Sequence, residues 1–317
     1  MKAVSSLLCV AILTFAAPAA AEDTLKIAIP QRGTWDTSIS EIGQKVGIFQ
    51  KHGLKLDLLF TGAGAEVMGA TIGGSVDLSV ASGISTVIGG YGKGAPLRIF
   101  SSEMAGQADI YWFVPANSPI KTLADMNGKT IGYSASGSSS HAALLALLAQ
   151  EKVDAKPTPL GGVTASITAG MSGQVDAAWA AMPYGLKDFE DGKIRIIARA
   201  ADVKVLQGRT VRVNMTSAST LATKKDQIER YMAGYKEAID YMYSSPDALE
   251  MYAEIGNVPM SIAQKMRTLV PKATTDPDQI VGMDSIIAEA VATKFLAAPL
   301  TKEQVSELVQ MKNPPKP

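Results

Sequence analysis

Apolar segments of strand length alternate with amphipathic segments of helix length along most of the chain, and this alternation constrains the fold more than any other feature. Residues 25–29 and 54–60 are two of the apolar segments, and the segment between them carries Ile39, Ile42 and Val46 at helical spacing. Strands that alternate with helices usually form a mostly parallel sheet covered by helices. The pattern therefore predicts an α/β protein.

Two extended segments divide this pattern into an outer unit and an inserted unit. The first, at residues 110–118, is aromatic and contains Pro115, which disfavours helix in the residue before it. The second, at residues 208–214, alternates polar and apolar side chains. We expect the chain to cross between the units here, with hinges near residues 112–115 and 209–213. The predicted boundaries are residues 22–112 and 213–317 for lobe 1 and residues 113–212 for lobe 2.

Residues 1–21 have the pattern of a secretory signal peptide. Lys2 supplies the positive charge, residues 7–17 are apolar but too short to span a bilayer, and residues 19–21 are alanines that suit cleavage. Cys9, the single cysteine of the chain, lies inside this segment. We therefore expect a mature protein in the periplasm, without a disulfide and without a cysteine ligand for a metal.

The charge balance argues against nucleic acid as a partner. The chain has 30 lysines and arginines against 30 aspartates and glutamates, and no run of like charges interrupts this balance. Proteins that bind nucleic acid usually carry a clustered positive charge. We therefore expect no nucleic-acid partner.

The segment at residues 129–152, KTIGYSASGSSSHAALLALLAQEK, is the clearest candidate for a ligand contact. A short apolar strand runs into a glycine- and serine-rich turn that opens a helix. The first amides of a helix have no partner inside the helix, so they can bind an anion. Ser138, Ser139 and Ser140 add hydroxyl donors, and His141 adds an imidazole. The alternative is an ordinary turn between a strand and a helix with a serine cap.

Further candidates come from other turns at the carboxyl ends of strands, where ligands of open α/β sheets bind. They are Trp35, Gly64, Ser82, Gly83, Trp179 and Tyr184. Trp35 either faces a ligand or packs on the helix that follows it, and Trp179 either lines the cleft or belongs to the core. Arg212 pairs either with a ligand carboxylate or sulfonate, or with a neighbouring acid.

Catalytic motifs are sparse. The chain has two histidines, and no histidine or acidic cluster has the spacing of a metal site. The glycine-rich turns lack the phosphate-loop and dinucleotide patterns. We therefore predict no catalytic residue, no metal and no cofactor. A periplasmic hydrolase that uses Ser140 and His141 remains the enzymatic alternative, although no acidic residue is identifiable that would orient the histidine.

Three segments carry a family resemblance: GSVDLSVASGISTV at residues 74–87, IKTLADMNGKTIGYSASGSSSH at 120–141, and GQVDAAWAAMPY at 173–184. Together they resemble the periplasmic substrate-binding proteins of ABC importers, of the nitrate/sulfonate/taurine-binding type, which are similar to thiamine-pyrimidine-binding proteins. The resemblance implies a type II periplasmic binding protein fold, with two α/β lobes joined by two hinge crossings.

The resemblance also implies a function and partners. Proteins of this kind hold a small solute between their lobes, close by a hinge motion and deliver the solute to an ABC permease and its ATPase at the inner membrane. For this chain we expect a small anionic organic ligand of the sulfonate or carboxylate class, and a monomer. A ligand-sensing partner of a membrane receptor is a further alternative. The pyrimidine synthases of the same superfamily use a cysteine-containing motif, which the mature chain lacks.

Overall fold

The computed structural model describes residues 22–62, 64–313 and 315–316. The predicted signal peptide lies outside the described residues. Within these ranges, no helix has both the length and the hydropathy of a membrane-spanning segment.

The strands and helices of the described ranges follow the predicted alternation. The strands are β1 (Asp23–Pro30), β2 (Leu54–Thr61), β3 (Leu78–Gly83), β4 (Leu97–Ala105), β5 (Ile110–Pro115), β6 (Thr130–Tyr133), β7 (Lys156–Pro159), β8 (Ala178–Ala181), β9 (Ile194–Arg199) and β10 (Thr210–Ser217). The α-helices are α1 (Ile39–Lys45), α2 (Ile48–Lys51), α3 (Gly64–Ile72), α4 (Ile84–Gly92), α5 (Ser139–Glu151), α6 (Val163–Met171), α7 (Leu186–Glu190), α8 (Ala218–Thr223), α9 (Lys225–Ser244), α10 (Pro246–Gly256), α11 (Met260–Leu269), α12 (Met283–Ala292) and α13 (Lys302–Leu308).

The larger sheet has the strand order β2-β1-β3-β10-β4 among the described residues. β1 pairs in parallel with β2 and β3, whereas β10 pairs antiparallel with β3 and β4. Leu25, Ile27 and Ile29 of β1 are fully buried, as expected for a central strand of a covered sheet. Because β10 enters this sheet from the second half of the chain, the larger unit is discontinuous in sequence.

The smaller unit holds the strands between these two parts of the chain. β5 lies between β8 and β9 and is antiparallel to both, and β6 pairs in parallel with β7. The amide of Gly132 on β6 donates to the carbonyl of Ala177, next to β8, at 2.9 Å. This bond joins the two pieces of sheet into one layer, so the inserted segment forms an α/β unit of its own.

Strand pairing places the passages between the two sheets at residues 106–109 and 200–209. The predicted boundaries at 112/113 and 212/213 fall inside β5 and β10 instead, and so do most residues of the predicted hinges. The physical reason is that an extended, aromatic segment is recognisable from its composition, but its hydrogen-bonding partners are not. Trp112, for example, pairs with Trp179 and therefore belongs to the smaller sheet.

The longest helix, α9, covers the larger unit through its predicted apolar stripe. Ile228, Tyr231, Tyr235 and Met242 on this stripe are buried. α9 packs against α1, α2 and β2. Burial of one face at i, i+3, i+4 and i+7 spacing explains why this long segment is a helix.

Candidate ligand-binding site

Residues of both units line a cavity of about 60 Å³ between the two sheets. This volume has room for about four to six water molecules, so it suits a small solute. Among the predicted site residues, the cavity brings together Gly64, Gly83, Ser138, Ser139, Ser140, Trp179 and Arg212. Trp35, Ser82, His141 and Tyr184 are not part of its lining.

The serine turn at the start of α5 forms one wall of the cavity. Ser138 is the N-cap of α5, and its hydroxyl accepts a hydrogen bond from the amide of His141 at 3.2 Å. The hydroxyl of Ser140 accepts from the amide of Ser134 at 3.0 Å. These two serines therefore hold the turn together, as the serine-cap alternative proposed.

Ser139 differs from its neighbours in the same turn. In the described part of the chain, its hydroxyl has no hydrogen-bond partner, and neither do the backbone amides of Ser139 and Ser140. Amides in the first turn of a helix are unsatisfied by the helix itself and favour negative charge. The wall thus presents unused donors to the cavity.

Trp179 adds a further unused donor to the same wall. Its side chain is 3% exposed, yet within the described ranges its indole N–H has no hydrogen-bond partner. Ser166 holds the backbone of Trp179 in place, because the Ser166 hydroxyl accepts from its amide at 3.1 Å and donates to its carbonyl at 2.8 Å. Buried donors are nearly always paired, so this N–H is a candidate donor to a ligand.

The surroundings of His141 do not fit its predicted role as a hydrogen-bond donor to an anion. Its ring stacks on Tyr133 with 4.0 Å between centroids, and its Nδ1 accepts from the amide of Gly137 at 3.2 Å. Burial lowers the pKa of His141 to about 4, so the ring is neutral at pH 7. In the described residues, the side chains of Ser140 and His141 share no hydrogen bond. The structure therefore lacks the serine–histidine contact that the hydrolase alternative needs.

Trp35 lies in the core of the larger unit and not at the cavity. It is 1% exposed, packs edge-on against Tyr252 with 4.8 Å between centroids, and donates from its indole nitrogen to the hydroxyl of Tyr243 at 2.9 Å. Tyr243 lies 208 positions further along the chain, which is why local sequence did not reveal this packing. The packed alternative for Trp35 therefore describes the structure.

Two further predicted residues lie beside the cavity. Ser82 is buried in β3, directly before the cavity-lining Gly83. The hydroxyl of Tyr184 donates to the backbone carbonyl of Arg32, across the boundary between the two units. Tyr184 thus links the units near the cavity without lining it.

Arg212 forms the opposite wall together with two acids that the sequence analysis did not select. Its terminal nitrogens lie 2.7 Å from an oxygen of Asp36 and 2.8 Å from an oxygen of Asp109. Asp36 and Asp109 line the cavity, and their side chains are almost completely buried. Arg212 therefore pairs with neighbouring acids, which is the second of the two alternatives. The only sequence signal for Asp36 was its place in the turn after β1, and Asp109 had none.

A third carboxyl group, Glu103, is buried near this cluster and interacts with its charges. It is 1% exposed, and neither of its carboxyl oxygens has a partner among the described residues. Burial raises the pKa of Glu103 well above its ordinary value, and Asp36 raises it further. Burial opposes the charge of Arg212, but Asp109 and Asp36 outweigh it and raise the pKa of the guanidinium. In the described ranges, no group of three His, Cys, Asp or Glu side chains could hold a metal ion.

The fold of the chain is shared with solved binding proteins. The alkanesulfonate-binding protein SsuA from Xanthomonas axonopodis pv. citri, bound to MOPS, matches with a TM-score of 0.76 and 20% identity over 92% of this chain and 100% of that chain. The periplasmic aliphatic sulphonate binding protein SsuA from Escherichia coli matches with a TM-score of 0.70 and 21% identity over 93% of each chain. The chain thus has the periplasmic binding protein fold, as predicted.

The chain belongs to the NMT1/THI5-like family, whose model matches residues 41–249. A protein of Brucella abortus (strain 2308), named as a candidate binding protein, is 26% identical over 241 residues, which is 74% of this chain and 72% of the relative. The resemblance to binding proteins of this type, found from three sequence segments, is confirmed.

Proposed function

We propose that this chain is the solute-binding component of an ABC importer, and that it captures a small organic oxyanion, a sulfonate or a carboxylate, in the cavity between its units. The observation that carries the proposal is the set of unused donors on one wall, namely the Ser139 hydroxyl, the first amides of α5 and the Trp179 indole N–H. Preorganised donors at a helix start favour an oxyanion. The family and the sulfonate-binding proteins of the same fold support this class of ligand.

The proposal includes partners and a location. A permease and its ATPase at the inner membrane would receive the solute, and the protein would act in the periplasm as a monomer. The signal-peptide pattern of residues 1–21 and the periplasmic proteins of the same fold support this location. No catalytic step, cofactor or nucleic acid is part of the proposed function.

Titration calorimetry on the mature protein tests the proposal. Ethanesulfonate, propionate and nitrate are titrated at pH 7 into the wild type and into Trp179→Phe, which keeps an aromatic ring but removes the N–H. We expect at least one organic oxyanion to bind. Trp179→Phe should weaken its binding about ten- to hundredfold, because one hydrogen bond to a charged group is lost.

Trp35→Phe is the matched control. It removes an indole N–H that bonds to Tyr243 in the core, so it should change stability and leave affinity within about twofold. If neither of the two organic oxyanions binds, the proposed function is wrong, and binding of nitrate alone would contradict the organic ligand class. If Trp35→Phe weakens binding as much as Trp179→Phe, the ligand lies elsewhere.

A further inference from the structure

Glu103 lies at an irregularity of the larger sheet. Where β4 pairs with β10, Met104 is opposite Arg212 and Ser102 is opposite Val213, so Glu103 is the extra residue of a β-bulge. Met104, the next residue, contacts Arg212, with 3.3 Å between its Sδ and a terminal nitrogen. Arg212 belongs to the second wall of the cavity, opposite the serine turn. Glu103 is therefore held beside this wall without lining the cavity itself.

Burial keeps a proton on Glu103. The side chain is 1% exposed, and neither of its carboxyl oxygens has a hydrogen-bond partner in the described part of the chain. A charge is far more costly to bury than a neutral carboxyl group, and burial accordingly raises the pKa of Glu103 well above its ordinary value. Glu103 thus carries a proton at pH values at which an ordinary glutamate is ionised.

The ionisable groups that interact with Glu103 come from four parts of the chain. They are Arg212 on β10, Asp36 in the turn after β1, Asp109 in the first passage, and Tyr231 and Tyr235 on α9. Burial raises the pKa of both tyrosines, so they carry no charge near neutral pH. The positive charge of Arg212 is shared by the two aspartates. A proton on Glu103 therefore leaves this cluster with one excess negative charge, and loss of the proton leaves two.

An anion in the cavity experiences this difference. Ser139 and Arg212 line the same cavity of about 60 Å³, so an oxyanion bound at the serine turn also lies close to the second wall. Like charges repel strongly in a site from which water is largely excluded. The negative charge that appears when Glu103 loses its proton therefore weakens the binding of an oxyanion.

We propose that the proton on Glu103 acts as a switch for the cavity: the protonated form holds an oxyanion, and loss of the proton favours its release. The inference rests on the proposed function, because it needs an oxyanion in the cavity. Coupling between two binding events is reciprocal, so the oxyanion must also hold the proton more firmly on Glu103. Affinity is then highest below the pKa of Glu103 in the ligand-free protein and falls as the pH rises through it.

Asp109 is the other buried acid that would produce a similar trend. Burial raises its pKa too, although Arg212 opposes this effect. Oδ2 of Asp109 accepts from Arg212 at 2.8 Å, whereas Glu103 has no such bond within the described ranges. A carboxylate that pairs with a guanidinium keeps its charge to lower pH, so we assign the switch to Glu103. His141 stays neutral near and above pH 7, since burial lowers its pKa to about 4.

Titration calorimetry between pH 6.5 and pH 9 tests the switch on the mature protein. The probe is ethanesulfonate, or propionate if only the carboxylate binds, and both remain charged in this range. We expect the wild-type affinity to fall at least about threefold from pH 6.5 to pH 9, and the affinity of Glu103→Gln to stay within about 1.5-fold. The variant should match the wild type within about twofold at pH 6.5 and bind more tightly than the wild type at pH 9. A merely structural role of Glu103 would instead weaken binding equally at every pH.

A control and a second measurement accompany this comparison. The exposed Glu229→Gln on α9 is the matched control and should follow the wild type at every pH. Wild-type titrations in phosphate and in Tris, at the pH where the affinity falls most steeply, need no variant. Their heats should differ by an amount that corresponds to net uptake of protons by the complex.

The outcomes distinguish the switch from the proposed function. If the wild-type affinity for a bound oxyanion is constant over this range or rises with pH, the switch is wrong, while the proposed function stands. If Glu103→Gln keeps the pH dependence of the wild type, the proton lies on another group and the assignment to Glu103 is wrong. If Glu103→Gln does not fold, the two-buffer titrations decide, since wild-type binding without proton uptake overturns the switch. If neither ethanesulfonate nor propionate binds at any pH, the proposed function is overturned and the switch fails with it.

Discussion

At the scale of single residues, the cluster around Arg212 concentrates most of the buried charge of the cavity. Arg212 contacts Asp36 and Asp109, which lie 176 and 103 positions away in the chain. Breaking such a buried pair by removing one partner is strongly destabilising, because the remaining charge stays buried without compensation. The same cluster therefore stabilises the fold where the residues of the two units meet at the cavity.

Glu103 gives this cluster a testable pH dependence. Its pKa is raised by burial and by Asp36, so between about pH 4.5 and the raised pKa the folded state binds a proton that the unfolded state has released. Stability contributed by this group therefore falls as pH rises. We expect Glu103→Gln, which is neutral at every pH, to gain free energy of unfolding relative to wild type between pH 5 and pH 8, by up to about 1.4 kcal/mol per pH unit.

Urea unfolding of both proteins at a series of pH values measures this difference. Taking the difference between variant and wild type cancels the titration of the groups that do not interact with Glu103. Glu229→Gln, at an exposed position on α9, serves as the control and should show no such trend. A constant or falling difference for Glu103→Gln would show that Glu103 is ionised throughout.

At the scale of elements, the three serines at the start of α5 differ in their hydrogen bonding within the described residues. Ser138 caps the helix and Ser140 braces the turn, whereas the Ser139 hydroxyl has no partner in the described residues. A cap satisfies one of the amides that a helix leaves unpaired, and this satisfaction contributes to stability. Three adjacent serines of identical chemistry thus have different roles because of their positions relative to the first turn.

We expect Ser138→Ala to lower the free energy of unfolding by about 1 kcal/mol, the usual cost of losing a serine N-cap. Ser139→Ala, its matched control in the same turn, should change stability by less than about 0.5 kcal/mol, since it breaks no protein hydrogen bond. Denaturant titration followed by circular dichroism measures both. Equal losses for the two variants would contradict this division of roles.

At the scale of the whole molecule, Gly83 is a point where the two units approach backbone to backbone. A Cβ at this position would lie 2.9 Å from the amide nitrogen of Ser139 and 3.3 Å from the carbonyl oxygen of Gly137. Gln107, in the first passage, donates to the carbonyl of Ser139 at 3.1 Å. A glycine at the end of β3 therefore allows the two backbones to approach this closely.

Gly83→Ala should weaken ligand binding without unfolding the protein. The backbone conformation of Gly83 suits alanine, so the added methyl group acts only by keeping the units apart. Overpacking of this kind costs about 1–3 kcal/mol, which is roughly a 5- to 150-fold loss of affinity if the cost falls on the closed form. Calorimetry with an organic oxyanion that binds the wild type measures this loss.

Gly69→Ala is the control for the same substitution in open space. A Cβ at Gly69 would have no atom within 4 Å, and its place in α3 predicts equal affinity and a slight gain in stability. Should Gly83→Ala lower the stability of the ligand-free protein and spare affinity, the ligand-free protein would already hold Gly83 against Ser139, and the expected effect on binding would be wrong.

The sequence alone determined the class of fold and much of one wall of the cavity. Alternating strand and helix patterns, and the apolar stripe of α9, arise from local periodicity, which depends on neighbours a few positions apart. The turn before α5 was recognisable for the same reason, since small residues and a helix start are adjacent in the chain. Gly83 and Trp179 followed from the rule that ligands bind at the ends of strands.

The second wall and the exact passages between the units became visible only in the folded protein. Asp109 became part of the cavity because β5 pairs with the smaller sheet and brings its preceding residue against Arg212 from β10. Trp35 packs in the core, and His141 stacks on Tyr133, so neither lines the cavity. The direction of a side chain depends on its packing partners, which the sequence does not reveal. Contacts between residues more than a hundred positions apart leave no periodic signal in a single sequence, so the charge opposite the serine turn was visible only after folding.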